Sequence, residues 1–323
     1  MNKKIGYAIV FLALLGAPFV MYPVFLMKVL CFVLFACAFN LLIGFTGLLS
    51  FGHAAFFGSA GYIAGYALKT LGLPVEAGLL LGTLGGALIG LAMGSLAIRR
   101  QGIYFTMITL ALAQMLYFVW LQAGFTGGED GLQGVPRGKL LGIVNLENDL
   151  SMYYVVLAIV VAAFALIARI IHSPFGQVLK AVKENEPRAI SLGYDVDRYK
   201  LMAFVLSAAL AGLAGATKTA VLGFETLTDA HWTMSGLVVL MTLVGGLGTI
   251  AGPIVGAIII IALENKLGEL GNLIANVTSI AWFRSLGESV TIVTGLIFIV
   301  CVLAFRRGIV GELAARFGRS RPH

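Results

Sequence analysis

The sequence predicts an all-α, polytopic membrane protein with about eight transmembrane helices plus one broken or re-entrant helical segment. Three observations predict it. Hydrophobic residues make up 59% of the 323 and charged residues only 11%, against about 25% charged in an ordinary soluble domain, so the chain lacks the polar surface to be wetted all round. Charge-free windows recur along the whole length, at 5–27, 29–68, 77–98, 101–128, 150–168, 201–217, 230–263 and 289–305. Finally, the basic residues are grouped, as they are on the cytoplasmic side of membrane proteins.

A helix needs about 20 apolar residues to cross about 30 Å of hydrocarbon, so the window 29–68 can cross twice. With the N-terminus inside at Lys3 and Lys4, spans near 5–27, 29–48, 49–68 and 77–98 bring Arg99 and Arg100 back to the cytoplasm. The first window makes a poor signal peptide, because no small-residue cleavage site precedes the second. Span 101–123 then leads out to a loop at about 124–149, where Glu129, Asp130, Glu147 and Asp149 outnumber Arg137 and Lys139. Span 150–168 returns to a basic loop at about 172–200, span 201–222 exits again, and 289–305 runs inward to leave Arg306, Arg307, Arg316, Arg319 and Arg321 inside. One transmembrane domain accounts for residues 1–323.

On this count the window 230–263 must enter and leave on one side. Gly245, Gly246, Gly248, Gly252 and Pro253 interrupt it, and helices break at such clusters. Two readings remain open. One is a broken pair of short helices beside a translocation path; the other is a kinked span packed closely at its glycines. Whether 270–283 lies flat on the membrane is a further open point.

Several function classes are disfavoured. The net charge of +7 sits in cytoplasmic clusters rather than in a nucleic-acid-binding patch. Gly212–Thr219, GLAGATKT, lacks the glycine that a phosphate-binding loop needs before its lysine, and Gly246-Leu-Gly248 lacks the strand–helix–strand unit of a dinucleotide site. No cofactor or metal is therefore expected in this chain. Cys31, Cys37 and Cys301 all fall inside apolar windows without a Cys-x-x-Cys or Cys/His cluster, as packing residues do. All fifteen acidic residues lie at window edges or in loops, which weakens a proton-coupled carrier but leaves sodium coupling through backbone carbonyls open.

The cytoplasmic loop reads as two short amphipathic helices. Ser173-Pro174 starts the first, with Val178, Leu179 and Val182 on one face. Asn185-Glu186-Pro187 breaks it, and a second runs from about Pro187 to Leu192 before Gly193, which permits a left-handed stop. Such helices either lie on lipid headgroups or dock to a partner, and the mixed charge leans towards a protein.

The run LKAVKENEPRAISLGYDVDRYKLMAFVLSAALAGLAGA resembles the coupling segment of LivM-type permease subunits of branched-chain amino-acid ABC transporters. Further stretches are similar in the same order: AFNLLIGFTGLLSFGHAAFFGSAGYIAG, RRQGIYFTMITLALAQ, GFTGGEDGLQGVP, GGLGTIAGPIVGA and a closing FRRGIVG, where the family usually has proline in place of Arg307. The resemblance implies import of branched-chain or other apolar amino acids across a bacterial inner membrane. The implied partners are a second related permease, two ATPase subunits that use the ATP, and a periplasmic substrate-binding protein. It further implies that Ala181, Glu184, Asn185 and Gly193 dock into the ATPase groove. The external Glu129 and Asp130 would meet the binding protein or line the outer mouth, unless the loop is only a glycine-rich turn. Urea or short amides on the same architecture, or a stand-alone carrier or channel, are the alternatives.

A polar run within the second window raises the question of the path. Asn40, Gly44, Thr46, Gly47, Ser50, Gly52 and His53 sit where a bilayer would prefer leucine. The glycines let a helix unwind and the hydroxyls can re-satisfy freed backbone groups, so this run is read as a junction between two spans. Paired breaks in the two halves of a transporter point to the solute path, so this run and Gly246–Gly248 are expected to face each other across it. His53 is read as a structural histidine, a path-lining residue or a titrating switch; no charge partner for a switch is visible in the sequence.

Overall fold

The computed structural model describes residues 14–278, 295, 296, 299 and 308–312. Nearly all of the first predicted span's start, the segment 279–283 and the last span at 289–305 therefore lie outside the described residues. Five described helices are long and apolar enough to cross a membrane, so the chain is a multi-pass helical membrane protein.

Helix α1 (Pro23–Thr46) opens at a proline after an extended Tyr22, where the fixed φ of proline favours a first helical position. This corrects the expected boundary between 27 and 29. Lys28 lies inside α1, with its ammonium 6.0 Å from the Phe32 ring centre; a single long cation can snorkel and does not end a helix. Apolar on nearly every face, α1 belongs in a core, and most of its residues are buried.

The further long helices are α2 (His53–Lys69), α3 (Val75–Ala97), α4 (Ile103–Gln122), α5 (Asp149–His172) and, beyond the loop at 173–195, α8 (Val196–Leu222); α5 and α8 pack against α1, and α8 also packs against α2 and α3. Helix α8 begins before the expected 201 and runs through Lys218, which had marked the edge of its window. On α3, Gly78, Gly82, Gly86, Gly90 and Gly94 recur every four residues and form one small-residue stripe. A methyl group on Gly86 would come within 3.1 Å of Gly212 Cα and 3.0 Å of the Ala208 carbonyl, and one on Gly82 within 2.7 Å of Ala216 Cβ. The two helices are therefore in backbone contact, while Leu80, Leu84, Leu88 and Leu91 on the outer side of α3 stay exposed.

In the loop between α5 and α8, α6 (Pro174–Glu184) and α7 (Glu186–Ser191) form as expected. Ser173 Oγ accepts from Gly176 N at 3.3 Å, Asn185 Oδ1 accepts from Arg188 N at 3.1 Å, and Gly193 takes φ 87°.

After α8 the chain is held against the loop between α4 and α5. Strand β4 (Phe224–Glu225) pairs antiparallel with β1 (Leu132–Gln133) of that loop, whose β2 (Lys139–Leu140) and β3 (Val144–Asn145) form a second small hairpin. Arg137 donates to the Val221 carbonyl at 2.8 Å and pairs with Asp149 at 2.6 Å, tying that loop to the ends of α8 and α5. The short α9 (Leu227–Ala230) then folds back against α2, where Gly58 leaves a methyl group only 2.6 Å from Ala230 Cβ.

This fold-back places Glu225 and Asp229 inside the bundle, against the expectation that acidic residues stay at its edges. Lys218 pairs with both, at 3.2 Å to Glu225 Oε2, and all three are buried. Thr219 donates to Glu225, Thr226 and Asp229 close a capping box, and Gly61 gives the Glu225 carboxylate its space.

Helices α10 (Trp232–Gly245) and α11 (Gly252–Thr278) resolve the two readings of the interrupted window in favour of a break. They pack closely at glycines: a methyl group on Gly245 would lie 3.1 Å from Gly256 N, and one on Gly256 2.9 Å from Gly245 N. Helix α11 continues past 263 through Glu264 and Lys266 to Thr278, so charge does not stop it.

Gly86→Leu is expected to cost about 1–3 kcal/mol by overpacking, seen as a lower thermal midpoint of the detergent-solubilised chain, with lipid-facing Leu84→Ala as an unaffected control. Lys218→Met leaves two buried carboxylates without their cation and should cost about 3–5 kcal/mol. The triple change Lys218→Met, Glu225→Gln, Asp229→Asn should recover most of that loss in the same melting measurement.

Candidate functional site

The polar run forms the turn between α1 and α2. Helix α1 closes at Gly47 in the left-handed region, φ 77°, whose N–H bonds the Ile43 carbonyl at 3.2 Å. Thr46 Oγ1 donates to Leu42 O at 2.6 Å and accepts from Leu48 N at 3.3 Å, while Ser50 Oγ accepts from Gly52 N at 3.1 Å. From α4, Thr106 donates to Leu49 O at 2.9 Å and Thr109 accepts from Phe51 N at 3.3 Å. Hydroxyl groups thus partner the backbone that leaves the helix, as buried polar groups require.

The second break touches the first. Between α10 and α11, Gly246 and Gly248 hold φ of 124° and 73°. Asn40 in α1 accepts from Gly248 N at 3.0 Å through Oδ1 and donates to Thr249 O at 2.9 Å through Nδ2. Gly44, one turn later, faces Gly248 so closely that a methyl group there would sit 2.9 Å from Gly248 N. The structure therefore brings Asn40, Gly44 and Gly248 into one joint, with Gly246 just before it and Gly47 at the end of the same helix. Gly308 also packs on Gly246.

Ser50, Gly52 and His53 sit on another side of the turn. A methyl group on Gly52 would come 2.9 Å from Met93 Cε and 3.2 Å from the Thr109 carbonyl. His53 is fully buried, with Nε2 2.8 Å from Ser207 Oγ, which in turn donates to Ala38 O at 2.6 Å. Because the serine hydrogen is committed to Ala38, the histidine N–H must be at Nε2, which fixes the neutral tautomer. Phe39 and Phe56 meet the ring edge-on at 4.8 and 5.4 Å. Nδ1 has no partner among the described residues. The imidazole therefore joins α1, α2 and α8.

On the loop of α6 and α7, Ala181, Glu184, Asn185 and Gly193 are all exposed, while Leu179, Val182 and Ala189 are buried beneath them. Ile190, Leu192 and Tyr194 form an exposed apolar tip, at 57%, 70% and 41% exposure. The loop is fastened to the bundle twice. Lys183 Nζ donates to Gly44 O at 2.7 Å, and Glu186 Oε1 accepts from Lys200 at 2.6 Å and Gln101 at 2.9 Å. Sequence reasoning missed Lys183, Glu186 and the Lys218–Glu225–Asp229 group. The usable signal for the last was a lysine lying one turn inside the end of a predicted span. On the opposite side, Glu129 and Asp130 are exposed on a 3₁₀ turn, Gly128–Asp130, next to the β1–β4 pair.

Relatives share this chain's sequence over much of its length. LivM of Escherichia coli strain K12, a high-affinity branched-chain amino acid transport system permease protein, is 27% identical over 74% of this chain and 61% of its own length. The autoinducer 2 import system permease protein LsrC of Klebsiella pneumoniae is 28% identical, covering 58% and 53%, and the ribose import permease protein RbsC of Bacillus subtilis is 29% identical, covering 61% and 58%. The chain thus spans about three fifths of the length of these curated relatives. Among solved structures, PsaBC from Streptococcus pneumoniae in complex with Fab matches at 16% identity and a TM-score of 0.40, covering 90% and 95% of the two chains, which is too distant to bear on the site. The model of the family described as branched-chain amino acid transport system / permease component matches residues 22–304, and the chain belongs to that family of permease components.

Proposed function

We propose that the chain is the permease subunit of an ABC importer for branched-chain or other apolar amino acids in a bacterial inner membrane. Separate ATPase subunits drive it, a second related permease completes the path, and a periplasmic binding protein delivers the solute. The observation that carries the reading is the loop at 173–195: its apolar tip at Ile190, Leu192 and Tyr194 stands exposed beside Ala181, Glu184, Asn185 and Gly193, on a base fastened to α1, α8 and the turn between α3 and α4. A surface of this kind, apolar at its centre and ringed by mixed charge, fits a protein groove better than an anionic headgroup layer.

The path runs beside the joint of Asn40, Gly44, Gly47, Gly246 and Gly248 and the turn of Thr46, Ser50, Gly52 and His53. Contact between the two breaks then corresponds to a closed inner end, and Glu129 and Asp130 face the binding protein. The relatives named for ribose and autoinducer 2 import support a second reading, the same architecture carrying a small polyhydroxylated solute. Ligand preference of the cognate binding protein decides between the two.

Uptake by liposomes that contain this polypeptide alone contradicts the importer reading, which expects transport only with the ATPases and a second permease present. The paired change Ile190→Asp, Leu192→Asp is expected to strip the ATPases from the purified complex without lowering the permease's own thermal midpoint; a loop that merely lies on lipid would leave the ATPases bound. Gly47→Leu and Gly52→Leu should each abolish uptake while the complex still assembles, since a side chain at either position blocks rearrangement of the turn; normal uptake in both removes the turn from the path.

A further inference from the structure

We infer that Lys183 is the positioning residue that makes the joint between the two helix breaks move with the coupling helix. The inference rests on the importer reading for its consequence, but its geometry stands alone.

The last carbonyls of a helix have no partner within it. Gly44 is such a case: Leu48 N, which would close the next turn, bonds Thr46 Oγ1 instead. Its carbonyl accepts from Lys183 Nζ at 2.7 Å, so a cation reaching across from α6 caps α1 at its negative end. The approach is built on both sides. Gly47 presents a bare Cα to the lysine stem, where a methyl group would lie 3.3 Å from Lys183 Cγ, and Lys180, one turn earlier on α6, stands 5.9 Å from the Phe45 ring centre.

The same stretch of α1 holds the second break. Asn40 lies four residues before Gly44, on the same helix face, and its amide takes both Gly248 N and Thr249 O. An unbroken series of hydrogen bonds therefore runs from α6 through the end of α1 to the backbone between α10 and α11. Any tilt of α6 either carries the Gly44 carbonyl with it or breaks the bond. At the other end of the loop, the bonds of Glu186 to Lys200 and Gln101 keep α7 against α8 and the turn between α3 and α4, so the free movement of α6 is directed at the joint.

Two measurements test this. In the purified chain alone, Lys183→Met keeps the packing on Gly47 and removes the donor; amide hydrogen exchange in 246–252 should accelerate about tenfold, the equivalent of one charge-assisted hydrogen bond. Exchange in α3 should stay unchanged, and Lys183→Arg should restore slow exchange. Unaltered exchange in 246–252 overturns the inference whatever the chain transports.

In the reconstituted complex, Lys183→Met should retain ATPase binding and ATP hydrolysis but lower solute moved per ATP by about tenfold. Combining it with Asn40→Ala should be no worse than the worse single change, because both cut one connection. An unchanged ratio, multiplying losses, or loss of the ATPases themselves each overturns it. If the wild-type chain binds no ATPase while the exchange result holds, the importer reading fails and the mechanical link survives.

Discussion

Where a backbone leaves the helix away from water, its N–H and C=O groups still need partners, and the Asn40 amide supplies them for the break between α10 and α11. One carboxamide has both an acceptor and donors, so it can hold Gly248 N and Thr249 O together. An aspartate would leave Thr249 O without a donor, and a leucine would abandon both groups. The break can exist at this place because α1 presents an asparagine there, and Gly44 then clears the space for the approaching backbone. The same demand explains Thr46, Ser50, Thr106 and Thr109 around the first turn, each of which bonds a backbone group that the helix has released.

Helix α8 gains its importance from being held along its whole length. Its middle lies in backbone contact with the glycine stripe of α3, where close packing rather than hydrophobicity drives association between membrane helices. Its N-terminal start is tied to the loop of α6 and α7 through Lys200 and Glu186, and its C-terminal end to the folded-back segment through Lys218, Glu225 and Asp229. Ser207, between them, anchors it to His53 and α1. Such a rod cannot bend freely.

The sequence made the helical class, both breaks and the two short loop helices legible, because those depend on local rules: window length, glycine clusters, and the Ser-Pro and Asn caps. Three things escaped it, each for a physical reason. The start of α1 was misplaced because Lys28 was taken as a boundary, although a snorkelling lysine leaves the helix intact while Pro23 determines its beginning. The buried ion group was hidden because Glu225 and Asp229 lie close in sequence to a window edge, and only tertiary folding turns that segment inward. Lys183 looked like one more solvated lysine on a polar face. Its partner is a carbonyl 139 residues away in sequence, and an orphan carbonyl has no sequence signature.

The polar run also bears on where selectivity can reside. Asn40 spends both sides of its amide on the second break, Thr46, Ser50, Thr106 and Thr109 spend their hydroxyls on backbone, and His53 spends Nε2 on Ser207. Among the described residues of this region, His53 Nδ1 alone is left with no bond, and it is buried among aromatic rings. Discrimination between solutes needs polar groups left unpaired when the wrong one binds, and here the groups are already paired with the protein. Polarity in this segment therefore holds the shape of the turn.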